Sequence, residues 1–351
     1  MTQPTSVDMT FDTSLVDLNP NVSFSTTESD PSSDFGATIQ NPASKTPTMP
    51  QSSAFEDQSQ ETPKQSQSSN PSSSMPPPKT STPVQHIPTQ DAYNQWASIY
   101  DSDGNMLQAI DDLELETILP DFLTQFLNTS QSQNLSILDL GCGTGRNTSK
   151  LISYPWPRDR FINITGLDFS RGMLDVANAK LPLLLHTIDP TQSRMSLHLE
   201  CCDCFPTVAN TSASPVPDSL SSRMHGIIST LVLEHIPLAP YFATLASTLQ
   251  PNGVALVTNM HSEMGDISQA GFINAQGVKV RGSSFAHAVD EVVAEAQNAG
   301  FEVLSVKERA MTREDVESGR VGERGWKWVG VKVWYGIVVR KVGEGRQDGV
   351  M

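Results

Sequence analysis

The tightest constraint on this chain lies in residues 135–146. The apolar run Leu135 to Leu140 leads straight into Gly141, Gly143 and Gly145, and then into a polar–apolar stretch from Arg146 to Ser153. A short apolar run ended by glycines reads as a buried strand. Glycines at the bend let the backbone turn sharply and let a ligand come within contact distance of the chain. The helix that follows turns its free N–H groups and the positive end of its dipole toward that ligand. A strand–bend–helix unit of this kind commits the chain to layered α/β packing.

The rest of the pattern repeats that unit. Phe161 to Leu167 is a second strand, and Ser170 is placed to cap a helix running to about Lys180. Met195 to Cys201 and Met224 to Val232 are further strands, and residues 238 to 249 form a helix. The turn Pro251-Asn252-Gly253 feeds a strand from Val254 to Asn259. A helix from Val289 to Asn298 stops at Gly300. Phe301 to Glu308 and Trp328 to Arg340 are the last two strands, and residues 91 to 127 read as helical. The expected fold is α/β: a Rossmann-like, seven-stranded, mostly parallel sheet covered on both faces. With no helix expected between the last two strands, the final one pairs antiparallel.

Composition sets the boundaries. Residues 1–88 are rich in Ser, Thr, Pro and Gln and keep no hydrophobic period, so they read as a disordered tail. Residues 89–345 are long enough for one domain with a full core. The formal net charge is -16 and the first arginine is Arg146, which argues against nucleic-acid and anionic-membrane partners. The chain shows neither a membrane-length apolar run nor an N-terminal targeting pattern, so the expected location is cytoplasmic, with a nuclear fraction possible in principle. Cys201 and Cys204 make one CxxC pair without a second ligand pair, so no metal site is expected and the thiols are read as reduced.

Two ligand classes use a glycine bend like this one. A dinucleotide fingerprint is GxGxxG, whereas here Arg146 stands where the third glycine belongs. Asp139, two positions before the first glycine, would repel a pyrophosphate but suits a cationic amino-acid moiety. S-adenosylmethionine (SAM) carries such an amino group and a sulfonium. The segment Asp139-Leu-Gly-Cys-Gly-Thr-Gly145 resembles motif I of class I SAM-dependent methyltransferases, and further motifs follow in order from Tyr93 to Arg340. Gly166-Leu-Asp168 resembles the family's ribose-binding acidic position. Phe169 and Met173 match positions that pack on adenine, and Cys202-Asp203-Cys204 supplies an Asp for the adenine amino group. Ser229 to Pro237 resembles motif IV. The resemblance implies SAM as cofactor, held by Tyr93, Tyr100, Asp139, Gly141, Cys142, Gly143, Thr144, Gly145, Arg146, Asp168, Phe169, Met173, Asp203, Cys204, Thr230 and Leu231.

Tyr93 to Asp101, Ser284 to His287 and Lys327 to Trp334 look like small-molecule methyltransferases of fungal natural-product pathways, a subgroup that includes gliotoxin-type N-methyltransferases. The resemblance makes the N-terminal helix a lid, the acceptor a small molecule, and the reaction methyl transfer to nitrogen or oxygen. Gly271 to Gly282 is expected to form a hairpin or flap over the substrate. His235 and His287 are candidate bases, because histidine titrates near working pH, and Glu234 is a candidate contact for an amine. The Mg²⁺ carboxylates of catechol-type enzymes, the Pro-Pro-aromatic tetrad of DNA amino-methylating enzymes and the double Glu of arginine methyltransferases are not found in this sequence. A non-catalytic SAM-binding regulator and an NAD(P)-dependent oxidoreductase are the competing readings.

Overall fold

A computed structural model describes residues 84–188, 194–205 and 216–343, apart from 270 and 275. Its elements, in chain order, begin with β1 (Val84–His86), α1 (Thr89–Trp96), α2 (Met106–Asn128), β2 (Asn134–Leu140), α3 (Arg146–Ser153) and β3 (Phe161–Asp168). Next come α4 (Arg171–Thr187), β4 (Arg194–Cys201), β5 (Met224–Thr230), α5 (Leu238–Thr248), β6 (Leu249–Met260) and α6 (Ser262–Gly265). The chain continues through β7 (Gly271–Ile273), β8 (Lys279–Arg281), α7 (Val289–Asn298), β9 (Phe301–Ala310), α8 (Arg313–Glu317) and β10 (Lys332–Lys341).

The main sheet has seven strands in the order β4-β3-β2-β5-β6-β10-β9. Pairing is parallel from β4 through β6, and β10 runs antiparallel to both of its neighbours. The α/β expectation therefore holds, including the antiparallel last strand. Strand order reverses between β2 and β5, which opens a crevice beyond their carboxyl ends, the usual ligand position of an open α/β sheet. Apolar residues cover both faces: Phe122, Phe126, Ile137 and Leu151 belong to one buried cluster, Leu138, Tyr241, Phe242 and Ile337 to another.

Four expectations need correcting. The helix read over 91–127 is two helices, broken at Asp101-Ser-Asp-Gly-Asn105. At the break Asp103 accepts from Trp96 Nε1 at 2.7 Å, and Asn105 caps α2 through the Leu107 N–H at 3.0 Å. Helix α4 does not stop near Lys180 but continues to Thr187 with Pro182 inside it. Leu181, Leu184 and Leu185 pack on the core there, which offsets the hydrogen bond the proline removes. The last two strands are separated by α8 and a 3₁₀ turn, Glu323–Trp328, so β10 starts at Lys332 rather than Trp328. Finally, β1 lies inside the segment expected to be tail, and pairs in parallel with β8; residues 1–83 lie outside the described residues.

Asp111 ties these elements together. Its side chain is fully buried and accepts from Arg146 Nη2 at 2.6 Å, Thr258 Oγ1 at 2.6 Å and Trp334 Nε1 at 2.8 Å. One carboxylate thus joins α2, α3, β6 and β10. Asp111→Ala should leave Arg146 with Asp112 alone and the Thr258 and Trp334 donors unsatisfied, at a cost of about 3 kcal/mol. Urea unfolding followed by tryptophan fluorescence measures this; a loss under about 1 kcal/mol would contradict the assigned role.

Candidate functional site: a cofactor cavity and an adjoining chamber

The crevice at the strand reversal holds a cavity of about 1030 Å³, partly open to solvent. Each parallel strand sends it the residues just beyond its carboxyl end: Gly141 and Gly143 after β2, Asp168 and Phe169 at β3, Cys202 to Phe205 after β4, and Thr230 to Val232 at β5. Tyr93 and Tyr100 close it from the N-terminal segment. Met173, expected as a cofactor residue, and His235, expected as a base, also line this cavity.

Backbone geometry shapes the cradle. The Gly141 and Cys142 N–H groups both donate to the Leu167 carbonyl, at 2.8 and 2.9 Å. Gly141 has φ +74° and Gly143 φ +55°, conformations costly for any side chain. A Cβ on Gly141 would strike Val232 at 2.3 Å, whereas one on Gly143 would meet nothing within 4 Å and would project into open space. Leu231 also has a positive φ, +57°, unusual for a branched residue; its N–H donates to the Thr258 carbonyl at 2.9 Å. Strain of this kind is found where the surroundings hold a site in shape.

The Asp168 carboxylate fastens the bend. Oδ2 accepts from the Gly143 N–H and Oδ1 from the Ser170 N–H, both at 2.8 Å. Burial pushes its pKa up to about 6, against the pull of those two N–H groups. Each oxygen keeps spare acceptor capacity, so this carboxylate can receive hydroxyls at the cavity wall. Asp139 is also buried and raised to about 6 by desolvation. Its Oδ2 accepts from Thr148 Oγ1 at 2.6 Å, and its Oδ1 has no partner. A glycine cradle with open space, a carboxylate facing it and an orphaned acceptor behind it fit a cationic nucleoside such as SAM.

Five expected cofactor residues do not line the cavity, and their chemistry explains why. Arg146 is turned away toward Asp111 and Asp112, and this double pairing raises its pKa further. Thr144 donates to Asp101 Oδ1 at 2.6 Å, tying the bend to the segment after α1. Gly145 is the N-cap of α3, Cys142 is buried beside Gly166, and Asp139 stands behind the cradle. Thr89, Leu167, Cys202, Phe205, Val232, Ile236 and Ser283 line the cavity without having been expected. Thr89 and Ser283 come from segments distant in sequence; the others adjoin expected residues and were within reach of the motif reading.

The expected lid and flap pack against each other. Residues Gly271–Ile273 and Lys279–Arg281 form an antiparallel hairpin within the stretch expected as a flap, and Phe272 stacks on Trp96 of α1 at 5.3 Å. Gln90 donates to the Phe169 carbonyl, and Asn94 accepts from Ser170 Oγ at 2.8 Å. His235 links the parts: Nδ1 lies 2.7 Å from the Ser283 carbonyl and Nε2 lies 2.7 Å from the Tyr93 hydroxyl. A carbonyl only accepts, so Nδ1 carries the proton and Nε2 accepts from Tyr93. Burial lowers the His235 pKa and keeps the ring neutral. His287 is elsewhere: its Nε2 donates to the Ile236 carbonyl at 2.9 Å, and its ring stacks on Phe285. It fills neither cavity wall, so its candidacy as a base finds no geometric support.

Glu234 is also absent from the cofactor cavity. It lines a second, much narrower chamber, which shares Tyr93, Tyr100 and Leu231 with the first. Its carboxyl is buried, and burial pushes its pKa up to about 8.

Two predictions follow from these positions. Gly143→Val should abolish binding of S-adenosylhomocysteine (SAH); its side chain meets only cavity space, so the domain should stay folded with a loss of about 1–2 kcal/mol from the left-handed backbone; unchanged calorimetric affinity would displace the cofactor from this crevice. Glu234 has an ordinary pKa of 4.5 and a folded value of about 8. The native state therefore holds a proton that the unfolded chain releases across that window, and stability should fall as pH rises through it. Glu234→Gln should flatten this slope in denaturation midpoints measured from pH 5 to 8; an unchanged slope would refute the assignment.

A methyltransferase domain model matches residues 112–306. An uncharacterized methyltransferase of Emericella nidulans is 42% identical over 277 residues, covering 72% of this chain and 91% of that protein. Among solved structures, a geranyl diphosphate C-methyltransferase from Streptomyces coelicolor is 14% identical, covering 67% of this chain and 84% of its own, with TM-score 0.41. A SAM-dependent methyltransferase from Mesorhizobium loti is 17% identical, covering 59% and 91%, with TM-score 0.38. The domain match and the Emericella relative, together with the glycine cradle at the strand reversal, place this chain in the methyltransferase domain family.

Proposed function

We propose that this enzyme moves the methyl group of SAM onto a nitrogen of a small molecule, a secondary metabolite of the kind the sequence resemblance suggests, in the cytoplasm. Bound SAM supplies a methyl carbon already activated by its sulfonium, so the chain's task is to align the acceptor, exclude water and manage a proton. The observation that carries the reading is the closed, aromatic wall of the site. Tyr93, Trp96 and Tyr100 pack against one another, with centroids 5.0 to 6.0 Å apart, between the cofactor cavity and the adjoining chamber. An amine brought against that wall loses water, and desolvation favours its neutral, nucleophilic form.

Asp168 is the ribose contact in this reading, and Phe169 and Met173 pack on the base. Asp203 faces the adenine end. Tyr93 and Tyr100 cover the reacting centre, and Leu231 holds the partition from the far side. Membership in the methyltransferase family sets the oxidoreductase reading aside, and the turn of Arg146 toward Asp111 leaves the usual place of the third fingerprint glycine as part of the scaffold.

Oxygen acceptors are the second reading, favoured by the Tyr93–His235 hydrogen bond. A phenol entering beside Tyr93 could lose its proton toward Nε2 of His235, whose tautomer is set by the Ser283 carbonyl. Incubation with methyl-labelled SAM and a panel of amines and phenols distinguishes the two. Amines should be labelled, and His235→Asn should lower that rate less than about tenfold. Labelling of phenols alone, with a fall of about 100-fold or more in His235→Asn, would establish the second reading instead. SAM binding with no labelled product from either class would leave only a non-catalytic binding role.

A further inference from the structure

The second chamber contains two buried polar atoms that the protein itself leaves unsatisfied. Glu234 is 3% exposed and its Oε2 has no hydrogen-bond partner; Ser268 is 4% exposed and its hydroxyl has none. Both residues line this chamber, Glu234 from the turn after β5 and Ser268 from the turn after α6. The rest of the wall is mostly apolar or aromatic, with Trp96, Leu107, Met260 and Met264 each nearly fully buried, and Asn105 and Gln269 complete it. Buried acceptors without donors are unfavourable and rare in native proteins, and each calls for an explanation.

Inside the protein the Glu234 carboxylate takes a backbone hydrogen bond from Met260, and Oε2 still lacks a donor. The nearest nitrogen of His235 lies 3.6 Å from Glu234 Oε1, on the other carboxylate oxygen, and it already accepts from Tyr93. Asp111 repels rather than neutralises the Glu234 charge. No lysine or arginine lines the chamber. A ligand carboxylate or phosphate would find no positive charge here. A ligand with N–H donors would satisfy Oε2 and the Ser268 hydroxyl together, and the faces of Tyr93, Trp96 and Tyr100 attract a cation.

We infer that this chamber is the acceptor subsite, and that it takes the protonatable amine end of an apolar or aromatic molecule, paired with Glu234 and hydrogen-bonded to Ser268. The inference rests on the methyl-transfer reading for its role, and adds to it the acceptor's chemical class and the residues that select it. Tyr93, Tyr100 and Leu231, shared by the two cavities, then form the partition across which the acceptor reaches the cofactor. Before its nitrogen can take the methyl group the amine must lose a proton, and the buried Glu234 carboxylate, raised to about 8, can receive it and become the neutral acid.

The test uses 2-phenylethylamine and its neutral counterpart 2-phenylethanol, titrated into the full chain with and without saturating SAH. The amine should bind more tightly than the alcohol by about tenfold or more, and should bind together with SAH rather than displace it. Glu234→Gln should remove that preference while SAH affinity stays within about twofold. Should Glu234→Gln fail to fold, Ser268→Ala decides: it should weaken the amine severalfold and leave SAH binding alone. Equal affinity for amine and alcohol, no amine binding, unchanged amine binding in the variants, or competition with SAH would each overturn the inference. Loss of SAH binding by the wild-type chain would instead strike the cofactor assignment, while the amine preference without SAH would still decide the chamber.

Discussion

A single buried carboxylate holds the working end of this molecule together. Asp111 receives three donors from three different elements, and one of them is the guanidinium at the first turn of α3. That turn begins where the glycine bend ends. The position of the bend therefore depends on an ion pair whose members do not line the cofactor cavity. Lys150 adds to it by pairing with Asp112, which Arg146 also contacts. An ion pair out of water is stabilising only when its remaining hydrogen bonds are met, and here Thr258 and Trp334 meet them.

Around this anchor, polar residues divide into scaffold and site. Asp139, Thr144 and Arg146 belong to the motif by sequence, yet their side chains bond to Thr148, Asp101 and Asp111. What faces the ligand from the motif is mostly backbone, at Gly141 and Gly143. The charged group offered to the cavity comes instead from the next strand, as Asp168, whose Oδ2 braces the bend at Gly143 while Oδ1 accepts from the Ser170 N–H. The same atom set thus shapes the cradle and remains available to a ribose.

The cover over the site is a composite. Helix α1 is tied to the N-terminus of α4 through Asn94, and to the hairpin through the Trp96–Phe272 stack. Strand β1 adds a third strand to that hairpin. Ser283, just beyond it, both accepts from His235 and donates from its backbone N–H to Thr89. Each contact joins residues far apart in the chain, so moving the cover would disturb the Tyr93–His235 pair and the partition between the cavities together.

The order of strands and helices, the glycine bend and the acidic residue at the end of the second strand are all legible from the sequence, because each is a local pattern of period, turn chemistry or capping. The same holds for the antiparallel final strand, though the turns before it were too short to show as a period. Directions of side chains were not legible. Arg146, Thr144 and His287 carry the right chemistry at the right spacing, and only tertiary packing turned them toward Asp111, Asp101 and the Ile236 carbonyl. Likewise the motif marked Glu234 as a candidate without saying which cavity it faces. That was decided by contacts with α6 and the N-terminal aromatics, partners separated from it by dozens of residues, and a burial so determined leaves no trace in local periodicity.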